Sequence, residues 1–310
     1  DAAETFWRQR LDGFNSPTPL AAPAVAGKPS GRGHAERILP EVLTTKLRSL
    51  AASQNCSLNT VIQGAWALLL GRWSAEQDVV FGATRAGRAG SVPGTDAMVG
   101  CMINTLPVRV QLDGSRTLGD WLQALRDSER AVRPFDQTPL MAVQGWSGVG
   151  AGQPLFESLI VYDHQTLDSQ MRALGDRFAK CRFQLIEQTN YPLTLYAYGE
   201  PALVLKLAYD EPRFDAALAD RLLTGLAHLL ESMAVDASTP VADLQLMSAS
   251  ELQRVLRDWN ATATPYPEEL CIHHAIEAQV AQHPDATALV FRDQTISYGE
   301  LNSRANQLAY

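Results

Sequence analysis

The stretch DVVFGATRAGRAGSVPGTDAMVGCMINTLPVRV, Asp78 to Val110, decides how this chain is read. Val79, Val80 and Phe81 form a short apolar run of strand character, and a second apolar run extends from Val99 to Val110. Between them, Gly82, Gly87, Gly90 and Gly94 give the backbone freedom, Pro93 removes an amide donor, and Arg85 and Arg88 need water or a partner. The segment from Gly82 to Gly94 therefore reads as a loop carried by two strands. Taken alone, the same pattern fits an ordinary long solvated loop.

Working outward, 310 residues suffice for a substantial core in one large domain or two smaller ones. A net charge of −8 and a pI near 5.3, with no basic stripe, argue against a nucleic-acid partner or an anionic membrane surface. Cys56, Cys101, Cys181 and Cys271 are scattered without C-x-x-C spacing, so neither a zinc site nor a disulfide framework is predicted. Reduced thiols of a cytoplasmic protein are the simpler reading. The most apolar run, Ala65 to Leu70, is too short to span a bilayer, and the N-terminus carries no targeting signal. The chain opens on Asp1 rather than a methionine and closes inside the helix-like ELNSRANQLAY, which reads as a piece of a longer polypeptide.

Periodicity supplies the elements. ETFWRQRL reads as a short amphipathic helix, followed by a tether dense in Pro, Gly and Ala and an extended piece from His34 to Leu39. Leu43, Leu47, Leu50 and Ala51 recur at helical spacing, and NTVIQGAWALLLGRW is apolar on most sides, as expected of a helix in the middle of a layered domain. Thr117 with Asp120 predicts a capped helix through Val132, and Asp215 caps another along Leu218, Leu222, Leu226, Leu229 and Met233. LFESLIVY reads as a buried strand, and LTLYAY with LVLKLAYD as a hairpin. GWSGVGAGQ contains Gly148, Gly150 and Gly152, but Gln153 stands where a dinucleotide fingerprint needs a glycine. Without regular βαβ spacing, the expectation is an α/β fold, an α+β sandwich in which helices cover a mixed sheet.

Several of these segments resemble motifs of the condensation domains of nonribosomal peptide synthetases. DVVFGATRAGR is similar to that family's G-x-x-x-x-G-R segment, and VGCMINTLPVR to its G-x-F-V-N-T-L-P-x-R segment. RPFDQTPLMAVQGW, QPLFESLIVYDHQ, TNYPLTL and YDEPRFD follow in the family's order. The resemblance covers nearly all of residues 1–245 and implies a chloramphenicol-acetyltransferase-like lobe, the C-terminal one, with residues 1–33 as the crossover from an N-terminal lobe that is not in this sequence. Residues 246–270 resemble the tether between condensation and adenylation domains. Residues 271–310 resemble the start of an adenylation (AMP-binding) domain, since ISYGELNSRANQLA matches its first motif with Ile296 in place of Leu. Two departures bear on subtype and substrate. Gln153 replaces the family's Asn, and Ala131, Val132 and Arg133 stand where a His-Asp pair often precedes the Pro-aromatic segment.

What the resemblance implies is part of an elongation module. The amine of an acceptor aminoacyl thioester attacks a donor thioester, both delivered on phosphopantetheine arms of carrier domains. Positioning and proton removal supply much of the rate. The family's proton-handling histidine belongs to H-H-x-x-x-D-G, which is absent here: His273 and His274 imitate its start, but Ala278 and Gln279 occupy the Asp and Gly positions, so a helix-start pair is expected. His34, His164, His228 and His283 have no carboxylate or cysteine at a telling spacing and read as surface or satisfied core. No catalytic residue and no metal ligand is assigned. By analogy Gly82, Thr84, Arg85, Gly87, Arg88, Asn104 and Thr105 would line the substrate channel or its floor, with Arg85 and Arg88 free to pair with carboxylates of the other lobe. For Asn104 and Thr105, ordinary strand-end hydrogen bonding fits equally well. ATP and Mg would be needed only by a complete adenylation domain.

Alternative readings are a noncatalytic platform that docks carrier proteins or holds the adenylation domain, and an acyltransferase acting on coenzyme A thioesters. The expected partners are carrier domains, the N-terminal lobe and the neighbouring adenylation domain, with no nucleic acid and no membrane.

Overall fold

Leu203, Leu205, Leu207 and Tyr209 alternate with more polar neighbours, and the four are buried on one face of a strand. That alternation organises a six-stranded mixed sheet in the computed structural model, which describes residues 2–20, 31–87, 94, 97–150, 152–175, 178, 181, 183, 187–265 and 268–309. The strands are β1 (Arg32–Ile38), β2 (Asp78–Arg85), β3 (Asn104–Gln111), β4 (Ser158–Asp163), β5 (Leu193–Tyr198) and β6 (Val204–Asp210), in the spatial order β1-β6-β5-β4-β2-β3. The pairs β2–β4 and β4–β5 are parallel and the others antiparallel.

Helices cover one face. α2 (Glu41–Ser53), α3 (Leu58–Ser74), α4 (Leu118–Val132) and α7 (Ala216–Met233) share a core with Val79, Phe81, Leu195 and Leu207 of the sheet. α3 is buried from Leu58 through Gly71 at every position but Asn59, so its nearly uniform apolarity reflects a central position. The caps form as the sequence predicts, with Thr117 Oγ1 accepting from the Asp120 amide and Asp215 Oδ1 from that of Leu218.

Among the described residues, the opposite face is covered only in part. α1 (Ala2–Arg10) and α5 (Leu140–Trp146) bring Trp7, Leu11, Phe14 and Val143 against Val80, with Phe6 stacked on Phe135. A short α6 (Leu167–Ala173) follows β4, leaving the β4–β5 part of this face open to a cavity.

Two compact units divide the chain, Asp1–Ala249 and Ser250–Tyr310. Leu246 packs on the core of the first, which therefore runs slightly past the expected boundary at 245. After α8 (Ala249–Gln253), the second unit contains α9 (Ile272–Gln282), the hairpin β7 (Thr287–Phe291) and β8 (Gln294–Ser297), and α10 (Tyr298–Ala309). None of its described residues is buried, and Phe291, Val290 and Leu308 stand exposed. No helix among the described residues is long and apolar enough to cross a membrane.

The structure corrects the opening stretch in two places. Gly82 lies inside β2, which continues to Arg85, so the loop begins at Ala86. Val99 to Ile103 is not strand: β3 starts at Asn104, and Val99 and Ile103 are exposed, with no partner strand for them among the described residues.

Candidate functional site

β2 and β3 carry most of the residues the sequence singles out. Gly82 is a packing glycine, since a Cβ there would come within 2.3 Å of the Phe156 ring. Gly87 has φ +67°, and a Cβ would meet the Met102 carbonyl oxygen at 2.0 Å, so only glycine fits where the chain leaves the sheet. Gln137 Nε2 donates to the Gly87 carbonyl and holds that turn down. Arg88 lies outside the described residues.

Asn104 is fully occupied within the chain. Its Nδ2 donates to the Asp136 and Thr138 carbonyls at 2.8 and 2.9 Å, and its Oδ1 accepts from the Thr105 amide. It clamps the start of β3 to the turn after α4.

Arg85 has a partner in its own chain, with Nε 4.0 Å from Asp136 Oδ1 and both side chains largely buried. Neither atom has a hydrogen-bond partner among the described residues, so the pair is a loose one. Burial pushes the Asp136 carboxyl above its ordinary range, against the opposing pull of Arg85 and Arg133.

Thr84, Arg85 and Thr105 meet on the wall of a cavity of about 710 Å³ on the open face of the sheet. Leu159, Val161 and Asp163 of β4 and Tyr196 and Tyr198 of β5 form its base, while Tyr191, stacked on Phe156, and His164, edge-on to Tyr162, stand at its sides. Gly82, Gly87 and Asn104 support this wall without lining it. Burial, aided by Glu187, pushes the Tyr198 hydroxyl up to about 12 and that of Tyr196 upward, so both remain protonated donors at neutral pH.

The tyrosines were missed in the sequence, where LTLYAY reads simply as one strand of a hairpin. The signal was present in the period of two: Thr194, Tyr196 and Tyr198 occupy one face and Leu193, Leu195 and Ala197 the other, core-facing one.

Two side-chain expectations change. His228, expected to lack a carboxylate, has Nδ1 3.0 Å from Glu231 one helical turn on. Cys271, His273 and His274 come together at the start of α9, with potential ligand atoms within 4.8 Å of one another, although spacing predicted no metal site. All three are exposed, and His274 Nδ1 accepts from the Cys271 amide at 3.3 Å. A helix N-terminus carries partial positive charge, which disfavours a cation there.

Comparison with known proteins covers the whole chain. The family model for the condensation domain matches residues 1–256. Linear gramicidin synthase subunits C and B of Brevibacillus parabrevis are each 40% identical over 313 and 318 residues, all of this chain, which spans only 4% and 6% of their lengths. Among solved structures, a four-domain nonribosomal peptide synthetase bound to AMP and glycine matches with a TM-score of 0.74 at 19% identity, over 100% of this chain and 25% of that one. The X-domain from teicoplanin biosynthesis matches with a TM-score of 0.64 at 21% identity, over 79% of this chain and 57% of that one.

Proposed function

The chain belongs to the condensation-domain family, and from that premise we propose that its first unit is the C-terminal lobe of such a domain in a nonribosomal peptide synthetase elongation module. The open face of its sheet supplies one wall of the passage in which an acceptor amine attacks a carrier-bound thioester. The observation that carries this reading is the half-covered sheet face, where Thr84, Arg85 and Thr105 come together with the tyrosines of β5 around one cavity.

In this reading residues 1–33 are the crossover from the N-terminal lobe, 246–270 the interdomain linker and 271–310 the start of the adenylation domain. The unburied apolar surface of the second unit supports the last assignment, because a segment that cannot bury its own side chains needs the rest of a domain. Phosphopantetheine arms of carrier proteins are the substrates' handles rather than resident cofactors, and ATP with Mg concerns only a complete adenylation domain. The setting is cytoplasmic. Proton transfer from the attacking amine falls to a histidine of the other lobe, and this chain's share is to hold the arm and exclude water.

The test is to supply an N-terminal lobe bearing H-H-x-x-x-D-G, in cis or in trans, with loaded carrier proteins. A dipeptidyl thioester is the expected product, and its absence under every pairing overturns the reading. A second reading, a noncatalytic docking platform, is favoured by the lack of that histidine motif in the chain. It is supported too by the fold it shares with the X-domain, which a solved complex pairs with OxyB. Carrier binding by the chain, with no product when the lobe is added, would select it.

A further inference from the structure

The register of the sheet sets side chains of four strands in one row across the cavity. Thr105 pairs with Thr84, and Val161 with Tyr196. The parallel pairs Gly82 with Leu159 and Ala83 with Ile160, continued by one residue, bring Thr84 beside Val161. With strands about 4.8 Å apart, the row Thr105, Thr84, Val161, Tyr196 spans about 14 Å, perpendicular to the strands. An extended chain laid across it meets hydroxyl groups at both ends and an apolar step between.

Tyr196 ends the row with an unmet need. It is only 3% exposed, and its hydroxyl has no hydrogen-bond partner among the described residues. A buried hydroxyl left unsatisfied is costly, so a group from outside the chain is the natural partner. The Glu187 carboxylate faces the same cavity but makes no hydrogen bond to this hydroxyl, and other neighbours are committed elsewhere. Thr189 and Thr194 bond each other at 2.6 Å, the Arg32 guanidinium donates to the Tyr191 and Thr189 carbonyls, and Asp163 Oδ1 accepts from the His164 amide. Across β5–β6, Lys206 stands opposite Tyr196, and its ammonium offers no acceptor.

We propose that Tyr196 is a positioning residue whose hydroxyl donates to a carbonyl oxygen of an uncharged, amide-linked chain lying across this row. A phenol donor beside Val161, with the Glu187 carboxylate in the same cavity, suits a neutral amide carbonyl better than a second carboxylate, which Glu187 would repel, or an ammonium, which cannot accept its proton. The inference rests on the proposed function, in which the pantetheine arm with its two amides is such a chain, and adds the atom that fixes its depth.

The test uses the 310-residue chain and pantetheine labelled with ¹³C at its amide carbonyls, with Kd and carbonyl shifts measured by titration. Wild type is expected to shift one carbonyl downfield. Tyr196→Phe should abolish that shift and weaken binding about 2- to 12-fold, the range expected for one neutral hydrogen bond, while its melting temperature holds or rises. Val161→Trp, which fills the middle of the row, should weaken binding in either background. If Tyr196→Phe leaves both shift and Kd unchanged while Val161→Trp weakens binding, the cavity holds the arm and the role of Tyr196 is overturned. If Val161→Trp has no effect, or wild type does not bind pantetheine, the cavity reading falls as well.

Discussion

At the scale of single residues, the chain separates groups that hold the wall from groups that face the cavity. Asn104 belongs to the first set: Asn104→Ala leaves two carbonyls of the 136–138 turn without their donor. It is expected to cost about 1–3 kcal/mol in urea unfolding, and a loss below about 0.5 kcal/mol would mean that water replaces the amide. Asp136 gives a pH-dependent prediction. Its folded-state pKa is raised by burial, so folding favours the protonated acid. That stability is full below the ordinary carboxyl range near 3.8 and is lost as pH rises through the folded value. Asp136→Asn should therefore match wild type near pH 3 and gain in melting temperature relative to it by pH 7. A relative loss at pH 7 would show that the pairing with Arg85 outweighs burial. Such roles were only partly legible beforehand. The motif marked Asn104 and Arg85, but their partners lie some thirty to fifty residues away, at the turn after α4, and only tertiary structure joins them.

Elements were more legible, because periodicity and capping are local. α3, α4 and α7 form where apolar spacing and a capping Ser, Thr or Asp place them. The strand ends were less so: apolar residues from Val99 to Ile103 suggested strand, yet pairing begins only at Asn104, opposite Arg85. Gly82 shows the opposite difficulty, since a glycine read as loop freedom serves close packing inside β2. Gly82→Val should drive a side chain into Phe156 and destabilise the fold by about 1–3 kcal/mol. Near-neutral behaviour in thermal unfolding would show that the Phe156 ring can move aside.

On the scale of the whole molecule, a mixed sheet covered by helices was readable as a class, but its strand order and the unequal cover of its two faces were not. The parallel neighbours β2, β4 and β5 are joined by long crossovers whose lengths do not encode adjacency. The cavity depends on that order, because it brings Thr84 and Thr105 within two or three strands of Tyr196. The central claim is that the open face of this sheet receives the carrier-borne arm. The most direct measurement loads a carrier protein with a spin-labelled pantetheine and records paramagnetic broadening of backbone resonances in this chain. The account predicts strong broadening at Thr84, Val161 and Tyr196 and none at helix-covered α2. Broadening confined to surfaces away from the β4–β5 face, or no broadening at all, would contradict it.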